Sequence, residues 1–257
     1  MRRNVFAAGL MAVGLAAPDL TAQGRGGPPP GPPPTPRAAA RIDITGYWVS
    51  LITEDWRYRQ FIPPKGDYEA VPISAAGRKI ADAWDPAKDE AAGEQCKAYG
   101  AAGLMRLPTR LHITWLDDNT LKLETDAGTQ TRAFHFGGPE PAGSNWQGAS
   151  MATWEFPRPP IQGFAFGFGP LPPGGSLRVV TNKMRPGYLR RNGVPYSSET
   201  VMTEYFDRLD VPGGDTILLI TTEVNDPQYL SQPFWTSTHF KKQNDAAGWN
   251  PTPCTAR

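Results

Sequence analysis

The stretch from Leu107 to Phe136 constrains this chain most. Leu111, Ile113 and Trp115 alternate with His112 and Thr114 until Asp117-Asp118-Asn119 interrupts the run. Leu121, Leu123 and Thr125 then alternate with Lys122, Glu124 and Asp126, and Asp126-Ala127-Gly128 leads into Thr129–Phe136. Successive side chains of an extended segment point to opposite sides, so each of these segments has one apolar and one polar face. Asp, Asn and Gly between them supply tight turns, which makes the unit a meander. Its apolar face must be covered, either by a second sheet or by closure of the sheet on itself.

More strands flank this meander. Asp43–Ser50 is rich in aromatic and β-branched residues, and Trp56-Arg57-Tyr58 reads as its continuation or as a partner strand. Gln147–Phe156, Ser176–Met184, Ser198–Leu209, Asp215–Val224 and Phe234–Lys242 follow, with Asp210–Asp215 as a hairpin turn. One helix is expected, starting at Ser74 as N-cap, carrying Ile80, Ala81 and Trp84 on one face, and ending at Pro86. Lys88–Ala102 reads as a loop. Pro157–Gly175 is a Gly/Pro/Phe-rich insertion that no sheet interior would accommodate. The pattern predicts an all-β fold, a single antiparallel barrel with one short helix and this insertion; a sandwich is the alternative.

The domain spans 42–242. Before it, residues 1–22 read as a secretion signal, with Met1-Arg2-Arg3 ahead of an apolar stretch too short for a membrane span. Residues 23–41, with Pro28–Pro34, read as an extended, disordered spacer. The expected location is therefore the periplasm or the outside of the cell. Cys96 and Cys254 are the only cysteines. In an oxidising compartment they most simply pair, pinning the 243–257 tail. A two-cysteine metal site lacks the Cys-x-x-Cys or Cys-x-x-His spacing that zinc needs. A net charge of +1, with both signs interspersed, argues against nucleic acid as a partner, and no later segment suggests membrane insertion.

The second half resembles a group of exported, mostly uncharacterised bacterial proteins with a lipocalin-like barrel. The matching residues are Trp146-Gln147-Gly148, Met151–Glu155, Ser176–Thr181, Arg190–Pro195, Thr203–Phe206 and Asp226-Pro227, within roughly Gln95 to Lys242. The group often has His where this chain has Ala149 and Tyr196, and its strand junction is uninterrupted where Pro157–Gly175 stands here. Gly46-Tyr47-Trp48 is similar to the Gly-x-Trp that begins lipocalin barrels. The resemblance implies a lipocalin-like fold but no established reaction.

Neither a nucleophile elbow, a phosphate loop nor a dinucleotide fingerprint occurs. His112, His135 and His239 each lie in a predicted strand. If they converged inside a barrel they could hold a zinc ion with an open position; otherwise they are surface or structural residues, and no cofactor is needed. Glu204 alternates with Met202 and Phe206. In an apolar lining its carboxyl would be a general acid or base, acting with His135; the alternative is an ion pair with Arg132 or Arg208. Arg190-Arg191 and Lys241-Lys242 read as solvated ends. Eight tryptophans and eleven phenylalanines favour a barrel that binds a small apolar or aromatic molecule through Trp115, Arg132, Trp154, Met202, Tyr205 and Phe206. The rival readings are a cofactor-independent or metal-assisted hydrolase, lyase or isomerase, and an envelope interaction protein.

Overall fold

A computed structural model describes residues 31–156 and 174–256 of the chain. The expected secretion signal, residues 23–30 of the Pro-rich spacer and nearly all of the Gly/Pro/Phe insertion lie outside the described residues.

The strands are β1 Gly46–Leu51, β2 Arg110–Trp115, β3 Thr120–Thr125, β4 Thr131–Phe136, β5 Ala149–Glu155, β6 Ser176–Asn182, β7 Gly187–Arg190, β8 Val194–Tyr196, β9 Val201–Asp210, β10 Thr216–Asn225 and β11 Phe234–Gln243. Nine of them close into a barrel in the order β1-β11-β10-β9-β6-β5-β4-β3-β2, while β7 and β8 form a separate hairpin. The expected uniformly antiparallel barrel needs correction. Directions can alternate all the way around a ring only when the strand number is even, so nine strands force one parallel contact. That contact is β4–β5, in the register Phe134↔Ser150, His135↔Met151 and Phe136↔Ala152. A parallel pair needs a crossover, and residues 137–148 carry the chain from one end of the barrel back to the other.

Alternation along the strands sets the interior. Leu111 and Ile113 of β2, Leu121 and Leu123 of β3, Phe134 of β4, Leu177 and Val179 of β6, Phe206 of β9, Leu218 and Ile220 of β10 and Phe240 of β11 belong to one buried core. Trp48 of β1 joins it, its indole Nε1 donating to the Ile44 carbonyl at 3.0 Å. Lys242 caps the ring face at 4.5 Å and donates to the Thr45 carbonyl, so it is no solvated end.

The two ends of the barrel are built differently. At one end lie the short turns 116–119 and 211–215 and the chain entering β1. At the other, the long connections 52–109 and 183–200 form a cap. Several sequence expectations fail in this cap. Trp56–Arg59 is a helix, α2 (α1 being the short helix Pro36–Ala39), rather than strand. Lys88–Ala102 is no loop: Asp85 caps a helix begun by Pro86, a 3-10 helix covers Gln95–Tyr99, and a further short helix covers Ala101–Leu104. The expected helix is present over Ala75–Asp82, with the Ser74 hydroxyl accepting from the Gly77 amide at 3.1 Å. Its buried face is Gly77 and Ala81, whereas Ile80 is exposed. A side chain at Gly77 would collide with the Tyr229 carbonyl at 2.6 Å, so this glycine permits the helix to approach the β10–β11 turn. Arg190, read as a solvated end, is 4% exposed.

Two buried carboxylates hold cap and turns together. Asp226 accepts hydrogen bonds from the amides of Ser197, Gln228 and Tyr229 and from the hydroxyls of Ser197 and Thr200. Asp126 accepts from the amides of Arg110 and Ala127 and the Thr109 hydroxyl. The Asp126 turn also receives the C-terminal tail, through Thr252 N to Asp126 O at 2.9 Å and Thr129 Oγ1 to Thr252 O at 2.9 Å. Cys96 and Cys254 form the expected disulfide, with Cα atoms 5.1 Å apart. It ties the 3-10 helix of the cap to that tail.

The bridged cysteines are separated by 158 residues. Closing so long a loop restricts the unfolded chain by about 4–5 kcal/mol in the chain-entropy account. Urea denaturation followed by circular dichroism is expected to show a loss of that order when both cysteines are replaced by serine.

Candidate functional site

The inward rows of β2, β4, β5 and β9 end in Trp115, Phe136, Trp154 and Arg208 at the end of the barrel away from the cap. The rings form a continuous row, with Trp115 and Phe136 centroids 5.5 Å apart and Phe136 and Trp154 centroids 5.7 Å apart. A short helix, Pro36–Ala39, lies against this row. The Trp154 indole donates to the Pro36 carbonyl at 2.8 Å, and the Arg37 amide donates to the Asp118 carbonyl at 3.1 Å. The compact unit therefore starts at Pro34, and the last residues of the expected spacer are part of the fold.

Between this N-terminal segment and the barrel rim lies a cavity of about 500 Å³. Trp115, Trp154 and Ile42 supply apolar walls, and Arg37, Arg41 and Arg208 supply cations. Arg208 is positioned by Asp210, at 3.1 Å, and by the Asp43 carbonyl, at 3.3 Å. Arg41 stacks over the Phe156 ring at 4.4 Å. Asp43 also borders the cavity. Burial would raise its carboxyl, but the Thr45 hydroxyl and amide, with Lys242 and Arg208 nearby, hold it below its ordinary value. The cavity thus pairs a half-buried aromatic floor with an excess of positive charge.

The other residues singled out in the sequence lie elsewhere. Arg132 and Glu204 do face inward, and both are fully shielded from solvent. Arg132 grips Glu204 bidentately, Nη1 to Oε1 at 3.0 Å and Nη2 to Oε2 at 2.6 Å. Nη2 also donates to Thr181 Oγ1 at 3.1 Å, and Thr181 bonds Ser150 at 2.8 Å. Four consecutive strands of the ring, β4, β5, β6 and β9, thus contribute one residue each to a polar layer inside an apolar barrel. Of the two expectations for Glu204, the ion pair with Arg132 is the one present. Neither residue faces the rim cavity.

His135 sits on the outer face of β4, opposite in parity to Arg132 and Phe134, so it cannot work with Glu204 as an acid–base pair. His112 and His239 are outward for the same reason. His112 stacks on Tyr47 at 4.1 Å and meets Glu124 at 3.1 Å, while His239 meets Glu54 at 3.0 Å. The three histidines do not converge, and no cluster of His, Cys, Asp or Glu suited to a metal occurs among the described residues. Of the proposed ligand contacts, Trp115 and Trp154 border the cavity. Phe206 packs on Phe134 at 5.5 Å in the core, Met202 is buried beneath the cap, and Tyr205 lies on the outer face. The sequence reading missed Arg37 and Arg41, hidden in a Pro-rich segment that carries no strand or helix period.

Glu204→Gln is expected to cost about 3–5 kcal/mol in denaturant unfolding, because it leaves a buried guanidinium without its counter-charge. The double variant Arg132→Met with Glu204→Met should recover most of that loss in the same experiment.

No protein-family model, no curated protein and no solved structure matches this chain. The reading of function rests on the geometry of the rim cavity.

Proposed function

We propose that this is an exported, lipocalin-like barrel protein that binds a small aromatic or apolar molecule bearing an anionic group. The single observation that supports it is the rim cavity itself. Its volume of about 500 Å³ suits a small organic ligand, and one built site combines Trp115 and Trp154 with Arg37, Arg41 and Arg208. Ring faces stabilise a planar apolar body by stacking, and guanidinium groups select an anionic substituent. The reading moves the ligand from the barrel interior, which Trp48, Phe134, Phe206 and Phe240 fill, to its end.

Export is supported by the basic and apolar N-terminal pattern together with the Cys96–Cys254 bridge, since disulfides persist in oxidising compartments. An enzymatic role for Glu204 and His135 has less support, because one is locked to Arg132 and the other lies outside the barrel.

Titration with the aromatic sulfonate 8-anilinonaphthalene-1-sulfonate tests the reading. A saturable rise in its fluorescence is expected with the native chain. Trp115→Ala and Arg208→Ala should each weaken binding about tenfold, equivalent to about 1.4 kcal/mol. Equal affinity in all three proteins, or no saturable signal, would overturn it.

A further inference from the structure

The cap at the opposite end of the barrel contains a second concentration of arginine that the rim reading leaves unused. Arg59 of α2, Arg106 just before β2 and Arg190 at the end of β7 are 2%, 6% and 4% exposed. All three border one narrow cleft, together with Tyr58, Phe61 and Leu189. Arginine is almost never buried without partners for its N–H groups, because the charged form loses hydration that nothing replaces.

The partners account for only part of this cluster. Arg59 pairs with Glu54 and donates Nε to the Arg106 carbonyl at 3.2 Å, while Arg106 Nη2 pairs with Asp55 at 2.9 Å. Arg59 Nη2, Arg106 Nη1 and all three guanidinium nitrogens of Arg190 are buried and make no hydrogen bond among the described residues. Arg190 stacks on the Tyr58 ring at 4.2 Å. Such stacking engages the face of the guanidinium and leaves its in-plane N–H donors unused. Glu54 and Asp55 pair with Arg59 and Arg106, Glu54 being shared with His239, and Asp67, itself engaged by Arg57 at 2.9 Å, lends Arg190 a weaker favourable charge without a hydrogen bond. Burial, then the neighbouring Arg106 charge, pulls the Arg190 guanidinium down to about 10.

We propose that Arg190, with Arg106 and Arg59, forms a second ligand site that takes the carboxylate of a small organic acid whose aromatic or apolar body rests on Phe61. The cleft as it stands has room for only about one water-sized group, so an anion must widen it, and a planar carboxylate needs less widening than a tetrahedral phosphate. A carboxylate oxygen pair matches the fork of Arg190, and the remaining donors of Arg106 and Arg59 complete its coordination. Phe61 is 62% exposed at the edge of the cleft and forms an edge contact with Trp56, itself 56% exposed. This exposed aromatic pair supplies the surface on which the body of the acid lies. Because the donors are closed off, the anion enters as the Tyr58 and Phe61 side chains at the edge of the cleft swing outward.

Calorimetric titration of the full chain with benzoate and with inorganic phosphate, beside thermal melts, tests the site. Saturable benzoate binding that raises the melting temperature is expected, with a weaker phosphate response. Arg190→Met keeps the apolar stem and removes the charge, so it should abolish the benzoate shift that remains when Trp115→Ala and Arg208→Ala remove the rim site. It should also melt no lower than the native chain without benzoate, because an unpartnered buried cation is lost. A merely structural arginine would instead give a lower melting temperature and no benzoate response once Trp115→Ala and Arg208→Ala have removed the rim site. Arg190→Lys keeps the charge without the fork and should bind benzoate at least tenfold more weakly; it decides the matter if Arg190→Met does not fold. No benzoate binding, phosphate binding in its place, or native-like benzoate affinity in the Arg190 variants would overturn the proposal. Because benzoate also suits the rim site, the titrations are read in the Trp115→Ala, Arg208→Ala background, where only cap binding remains; benzoate binding lost there overturns the cap site and leaves the rim reading untouched.

Discussion

Closure of the sheet is the constraint on which the rest of this structure depends. The β1 strand pairs with β11 on one side and β2 on the other, which leaves the barrel no open edge. Closure removes the unpaired backbone groups that would otherwise template association. With nine strands it also imposes the parallel β4–β5 contact and the crossover at 137–148. Lengthy connections gather at one end, where the helices and the β7–β8 hairpin pack into a cap. The rim at the opposite end has shorter turns among its described connections, and there the N-terminal segment lies across Trp154 and leaves a cavity.

Buried charge is handled in two ways. In the barrel interior, Arg132 and Glu204 satisfy one another, with Thr181 and Ser150 extending the network across adjacent strands. Such a pair contributes little net stability relative to apolar residues, since desolvation offsets its attraction, but removing one partner is costly. In the cap, Arg59, Arg106 and Arg190 outnumber Glu54 and Asp55, and five guanidinium nitrogens are left without protein partners among the described residues. The first arrangement neutralises its charge and leaves one guanidinium nitrogen, Arg132 Nε, without a partner among the described residues. The second is complementary to an anion.

Rim and cap share a chemistry, aromatic surface beside arginine, but differ in access. At the rim, Trp115 and Trp154 are half-buried around a roomy cavity. In the cap, the guanidinium donors are shielded and the space is small. Recognition at the rim rests on stacking with charge assistance, whereas in the cap it rests on hydrogen bonds whose strength grows with exclusion of water.

Period-two alternation made most barrel strands legible, because each inward row needs apolar residues regardless of which strand lies beside it. Leu111, Leu121, Phe134, Val179, Phe206 and Phe240 could be assigned to the interior on that ground alone. The disulfide was legible as well, since only two cysteines were present to pair. Glu204 could be placed inward by the same parity, but its partner could not, because register between β4 and β9 depends on the two strands that separate them. The short cap helices escaped notice: four to six residues hold too little of a 3.6-residue period to stand out, and packing rather than propensity maintains them. The parallel contact, the burial of Arg190 and the approach of Arg37 and Arg41 to the rim were decided by tertiary structure alone. Each depends on ring closure and on distant segments meeting in space, and local sequence carries no record of either.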